Sequence, residues 1–195
     1  MLNRREFLYL AGAGTAGLLA GQSGGLWPLA QAAADGVFKP DVELALKATV
    51  SESPVLPGRP TAVWTYQGRL IKGEAWHLVD SGSSYLGPTI RVRRGQKIRI
   101  HFYNELPEES IVHWHGLHVP AEMDGHPRDV IATGRKFVYE FEVHNRAGTY
   151  WYHPHPHERT GPQVYGGLAG LFIVTDDEEQ SLTLPRDEFD LPLVI

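Results

Sequence analysis

Cysteine is absent from this chain of 195 residues. That absence removes a disulfide scaffold, a thiolate zinc site and a cysteine nucleophile together. A basic excess is also missing: 18 Lys and Arg stand against 23 Asp and Glu, a formal charge of −5. A nucleic-acid binder needs a basic face, so no nucleic-acid partner is expected. The zinc-protease pattern H-E-x-x-H does not occur. Methionine is scarce, with two residues including the initiator, so no methionine-rich patch can form. No segment keeps a helical period over three turns.

What the chain does have is glycine and proline, 21 and 14 residues spread along its length, which favours many short strands joined by turns. With 42% hydrophobic and 21% charged residues it can still bury an ordinary core. Val42, Leu44, Leu46, Ala48 and Val50 alternate with mostly polar neighbours, the period of a half-buried strand. Further strands are predicted over Val63–Gly68, Pro88–Arg93, Lys97–Phe102, Ile111–His115, Phe137–Val143, Thr149–His153 and Leu168–Val174. Arg94-Gly95-Gln96 reads as a hairpin turn that pairs Pro88–Arg93 with Lys97–Phe102. The acidic stretch Asp176 to Gln180 reads as a solvated linker, and Phe189 to Ile195 as the beginning of another strand. The expected fold is an all-β sandwich or barrel.

Residues 1–34 stand apart. Arg4-Arg5 precedes an uncharged stretch from Tyr9 to Leu29, and Ala30-Gln31-Ala32 and Ala32-Ala33-Ala34 offer small-x-small cleavage patterns. Asn3-Arg4-Arg5-Glu6-Phe7-Leu8 resembles a twin-arginine export signal. Six glycines and Pro28 make the stretch a poor spanning helix, so a cleaved leader is expected rather than an anchor. The mature protein is then expected in the periplasm or outside the cell.

Ten histidines are the unusual feature, and four of them form two i/i+2 pairs, His113-Trp114-His115 and His153-Pro154-His155. On a strand, residues i and i+2 share a face, so each pair projects two imidazoles together while Trp114 points the other way. Pro154 and Pro156 hold the second pair extended and stiff, which lowers the entropy lost when a ligand is ordered. Four imidazoles on neighbouring strands could converge on a metal that favours nitrogen. A thiolate-ligated blue-copper centre is excluded by the missing cysteine. His77, His101, His126 and His144 read as ordinary surface or core residues. His118 and His157 lie near the pairs without a spacing that demands ligation.

His113-Trp114-His115-Gly116-Leu117, then Asp124-Gly125, Gly148-Thr149-Tyr150-Trp151-Tyr152-His153-Pro154-His155 and the run from Gly161 to Gly170 resemble the first cupredoxin domain of multicopper oxidases. Within the family they are most similar to bacterial copper-efflux oxidases, spore-coat laccases and bilirubin oxidases. The resemblance implies a cupredoxin-like Greek-key β-sandwich over residues 35–180. It assigns His113 to a type 2 copper, and His115, His153 and His155 to the two type 3 coppers, of a trinuclear cluster that reduces dioxygen to water. Asp124 matches an acidic residue that assists protons and water there. A small reducing substrate, whether a phenol, a pigment or a metal ion, would be oxidised one electron at a time.

In the family, further histidines and the type 1 cysteine come from the last domain. The chain is therefore expected to be the N-terminal part of a longer oxidase, with residues 181–195 a linker and the start of a second domain. A C-terminal cupredoxin domain or an oligomeric partner would complete the site. The alternatives are a stand-alone exported copper-sequestering domain and a relative that has lost its copper, the latter disfavoured by the four matching histidines.

Overall fold

The computed structural model describes residues 37–82, 84–186 and 189–194; the expected leader at 1–34 lies outside them. Among the described residues, nine strands form two sheets. The first is four-stranded, in the order β2-β1-β5-β7, built from Val42–Ser53 (β1), Thr61–Lys72 (β2), Lys97–Asn104 (β5) and Lys136–Glu142 (β7). The second is five-stranded, in the order β3-β4-β9-β8-β6. Its members are Leu78–Val79 (β3), Thr89–Arg93 (β4), Val112–His115 (β6), Gly148–Pro154 (β8) and Gly170–Thr175 (β9). The pairings β1·β5 and β4·β9 are parallel and the others antiparallel, giving a cupredoxin-like β-sandwich.

Alternation in sequence becomes alternation in burial. Val42, Leu44, Leu46 and Ala48 of β1 are fully buried while the residues between them are half-covered. Ile98, Ile100 and Phe102 of β5 do the same from the neighbouring strand, and Ile90, Val92, Phe172 and Val174 face them from the opposite sheet. Each such apolar side chain contributes about 1.5–3 kcal/mol by leaving water. The two inner faces together make the core.

One expectation fails here. β4 and β5 do not pair. β4 lies between β3 and β9 in one sheet, and β5 lies between β1 and β7 in the other. Arg94-Gly95-Gln96 carries the chain across the sandwich, with Arg94 N–H donating to Thr175 O and Gly95 N–H to Val143 O. Both strands have an apolar face to bury, and facing each other across the core buries both. A tight turn is compatible with either arrangement, so the local residues do not choose.

The two ends of the acidic region also differ from expectation. Asp177–Gln180 is a helical turn (labelled α2 after α1, Thr160–Tyr165) rather than a linker. Asp176 caps it by accepting from Glu179 N–H at 2.8 Å. Phe189 to Val194 forms no strand. This tail lies by the outer face of the five-stranded sheet, where Arg91 Nη1 meets Asp190 Oδ2 at 2.8 Å.

Candidate metal centre

β6 is an edge strand, and β8 is its single neighbour in the sheet. Their antiparallel register sets His113 opposite His153, Trp114 opposite Tyr152 and His115 opposite Trp151. His155 continues beyond the end of β8, its N–H donating to Ile111 O at 3.3 Å. The period of two then sorts the side chains. Trp114 turns inward, 0% exposed, against Tyr139, Phe141, Tyr152 and Phe172. His113, His115, Trp151, His153 and His155 share the outer face.

The four imidazoles gather there. Ring centroids lie 5.7 Å apart for His113 and His115, 5.3 Å for His113 and His153, and 5.4 Å for His113 and His155. Ligand atoms of His113, His115 and His153 all fall within 4.8 Å of one another. His155 sits at the margin of that trio, 5.9 Å from His153 by centroid.

Hydrogen bonds to backbone carbonyls orient two of the rings. His113 Nδ1 lies 2.7 Å from Asp124 O, and His153 Nδ1 lies 2.8 Å from Pro154 O. A carbonyl can only accept, so each Nδ1 is assigned the proton and each Nε2 keeps its lone pair. This is the outer-shell arrangement that fixes the tautomer of a ligating histidine. His153 Nε2 in turn lies 3.1 Å from His115 Nδ1. Two nitrogens held roughly 2.0 Å from one ion in tetrahedral geometry would sit roughly 3.3 Å apart, so the pair fits a shared cation. Without a cation, His115 Nδ1 must carry a proton and donate. For His115 Nδ1 to hold a cation, that proton would have to sit on its Nε2 instead.

Burial, opposed by the bond to Pro154 O, pushes His153 down to about 4, and the three neighbouring imidazoles add to the depression. His153 is therefore neutral near pH 7, the state a metal requires. His155 Nδ1 is buried without a hydrogen-bond partner, an open donor position of the kind a ligand or water would satisfy. The nitrogen-only set suits copper or another imidazole-seeking metal.

Asp124 reaches the site chiefly through its backbone. Its carboxylate Oδ1 is 3.3 Å from His113 Nδ1, farther than its carbonyl, and the side chain is 41% exposed. Sequence reasoning looked at the carboxylate and missed the carbonyl, because a backbone acceptor leaves no mark in residue type. It also missed Gln163, fully buried on α1. Gln163 Oε1 accepts from Ser110 Oγ at 2.8 Å, and its Nε2 donates to Glu109 O at 2.9 Å. That clamp ties the segment after His155 to the strand entry before His113.

The remaining histidines do other work. His77 is buried, its Nδ1 accepting from Glu74 N–H. His101 Nε2 pairs with Glu43 at 2.7 Å, and His126 Nδ1 accepts from Arg128 N–H. His144 is exposed beside Glu142. His118 and His157 are exposed, and neither belongs to the trio of close ligand atoms.

Comparison with known proteins shows what the chain is similar to. The family model described as multicopper oxidase matches residues 63–179. The multicopper oxidase mco of Staphylococcus aureus is 39% identical over 124 residues, covering 64% of this chain and 28% of that protein. A cell division protein, FtsP of Escherichia coli K12, is 33% identical over 141 residues, covering 71% of this chain and 27% of its own. The crystal structure of a multi-copper oxidase from Pediococcus acidilactici superposes with a TM-score of 0.63 at 36% identity, covering 76% of this chain and 30% of that one. The chain thus spans less than a third of each of these proteins. The matched segment runs from β2 to α2 and includes both histidine pairs, and on that ground the chain belongs to the multicopper oxidase family.

Proposed function

We propose that this domain is the N-terminal cupredoxin module of an exported multicopper oxidase. In this reading His113 holds the type 2 copper, and His115, His153 and His155 hold the type 3 pair of a trinuclear cluster. The observation that carries it is the convergence of four rings on one face, with His115 Nδ1 and His153 Nε2 3.1 Å apart. Bound copper supplies one-electron redox chemistry, passing electrons from a small reducing substrate to dioxygen. The remaining imidazoles and the type 1 cysteine belong to a further cupredoxin domain or a partner subunit.

The chain's own residues bind and orient. Asp124 O and Pro154 O aim the Nε2 atoms of His113 and His153 outward. The half-exposed Asp124 carboxylate lies on the Nδ1 side of His113, where it can hold a proton close to the cluster.

Copper titration tests the reading. The isolated chain should bind copper on this face, and a His113→Ala/His115→Ala/His153→Ala variant should lose that copper while keeping its β-sheet circular dichroism. The isolated chain should not oxidise a phenolic dye, whereas the same module joined to a domain carrying a His-Cys-His segment should. Unchanged copper stoichiometry in the triple variant would sink the proposal. Turnover by the isolated chain would sink the division of the site between domains. The similarity to a cell division protein makes a copper-free role the competing reading; the clustered imidazoles favour copper, and the titration separates the two.

A further inference from the structure

His113 and His153 are each aimed by a hydrogen bond from Nδ1 to a backbone carbonyl; His115 is not. Its ring is exposed, and the polar contact it makes is the 3.1 Å approach to His153 Nε2, the same edge that would face a cation. Something else must hold this imidazole in place, or binding would have to freeze its two torsions.

Trp151 is placed to do so. It stands directly across from His115 in the β6·β8 register and two residues before His153 on the same face. Its indole lies 5.0 Å from the His115 ring at 30°, and 4.1 Å from the His153 ring at 32°. Centroid separations of 4.5–7 Å are typical of favourable aromatic pairs, with offset stacking preferred. Its backbone is held on both sides, because its strand lies between β6 and β9, with Leu171 as its other cross-strand partner.

We propose that Trp151 is a positioning residue for the metal face, supplying to His115 by stacking what the Asp124 and Pro154 carbonyls supply to His113 and His153 by hydrogen bonding. The inference rests on the copper reading above for what the imidazoles bind, but the stacking itself can be tested in the metal-free chain. With the indole in place, the His115 ring is already confined before any ion arrives. Without it, the ring must be ordered at the moment of binding.

Two measurements on Trp151→Leu and Trp151→Phe decide the matter. In the metal-free wild-type chain, NMR should show the His115 and His153 ring protons displaced by the indole ring current. Trp151→Leu should abolish that displacement, and Trp151→Phe should retain part of it. Copper(II) affinity should fall roughly three- to tenfold in Trp151→Leu, the scale of one newly immobilised side chain, and recover substantially in Trp151→Phe. Trp76→Leu, which removes an indole stacked on His77 instead, should lower stability without moving the affinity. The proposal is overturned if Trp151→Leu leaves the His115 ring protons unshifted relative to wild type, or if its copper affinity stays within about twofold of wild type. If the wild-type chain binds no copper on this face, the copper reading fails, and the ring-proton shifts decide the positioning role alone.

Discussion

Two glycines with nearly the same backbone angle allow the packing behind His113 to be measured. Gly125 has φ +74 and Gly134 has φ +73, in the left-handed region that side chains resist. An alanine at either position therefore carries the same intrinsic penalty, about 1–2 kcal/mol. Their surroundings differ. Nothing lies within 4 Å of a Cβ built on Gly134. A Cβ on Gly125 would sit 2.8 Å from His113 N and closer still to the Val112 carbonyl, both backbone atoms of β6. Backbone cannot rotate aside, so the 120–126 loop must withdraw from the strand. Overpacking of this kind costs about 1–3 kcal/mol. Withdrawal also takes Asp124 O away from His113 Nδ1, a hydrogen bond worth about 1 kcal/mol. Gly125→Ala should then lose about 2–4 kcal/mol more than Gly134→Ala. For a domain of this size each kcal/mol shifts the melting temperature by roughly 2–4 °C, so the two variants should melt at least about 4 °C apart. Calorimetry on the metal-free chain checks this, and the His113 ring signals should move in Gly125→Ala alone. If the two variants melt within about 1 °C of each other, the tight seating of Gly125 on β6 is refuted.

Other elements yield shorter tests. Gln163→Leu strips partners from Ser110 Oγ and Glu109 O in a buried setting and should lower stability by about 2–4 kcal/mol in urea unfolding; an unchanged midpoint would show that the clamp is not needed. Glu158 has φ +58, a conformation in which Asn is better tolerated, so Glu158→Asn should raise the melting temperature through a gain of up to about 1 kcal/mol, and a lower value would contradict it. Asp176 is held below the usual carboxylate range by the N–H groups of Glu179 and Ala147, with Arg146 and Arg94 contributing. A depressed folded value means that its stabilisation is complete above the unfolded value near 3.8 and disappears as pH falls through the lower folded one. Asp176→Asn should flatten the acid limb of a stability–pH curve below about pH 4, and an unaltered limb would remove the cap from the account.

The i/i+2 spacing of the histidines was enough, by itself, to put each pair on one face and Trp114 on the other, because a strand's period is a property of the local backbone. Alternating apolar residues marked the principal strands for the same reason: β5 buries every second side chain, and β1 does so from Val42 to Ala48, although Val50, which continues the alternation in sequence, is 52% exposed. The family resemblance rested on contiguous motifs and was likewise legible. Pairing was not. β4 and β5 are separated by three residues and still lie in different sheets, since what decides pairing is which distant strands complete the core. The turn at Asp177–Gln180 escaped notice because its cap, Asp176, is braced by Ala147 from another part of the chain. Within the site, composition identified the imidazoles, but their aim depends on Asp124 O, Pro154 O and the face of Trp151. Pro154 O is the carbonyl of the next residue and acts locally, whereas Asp124 O is brought to His113 by loop closure and Trp151 to His115 by register, so tertiary structure alone places those two.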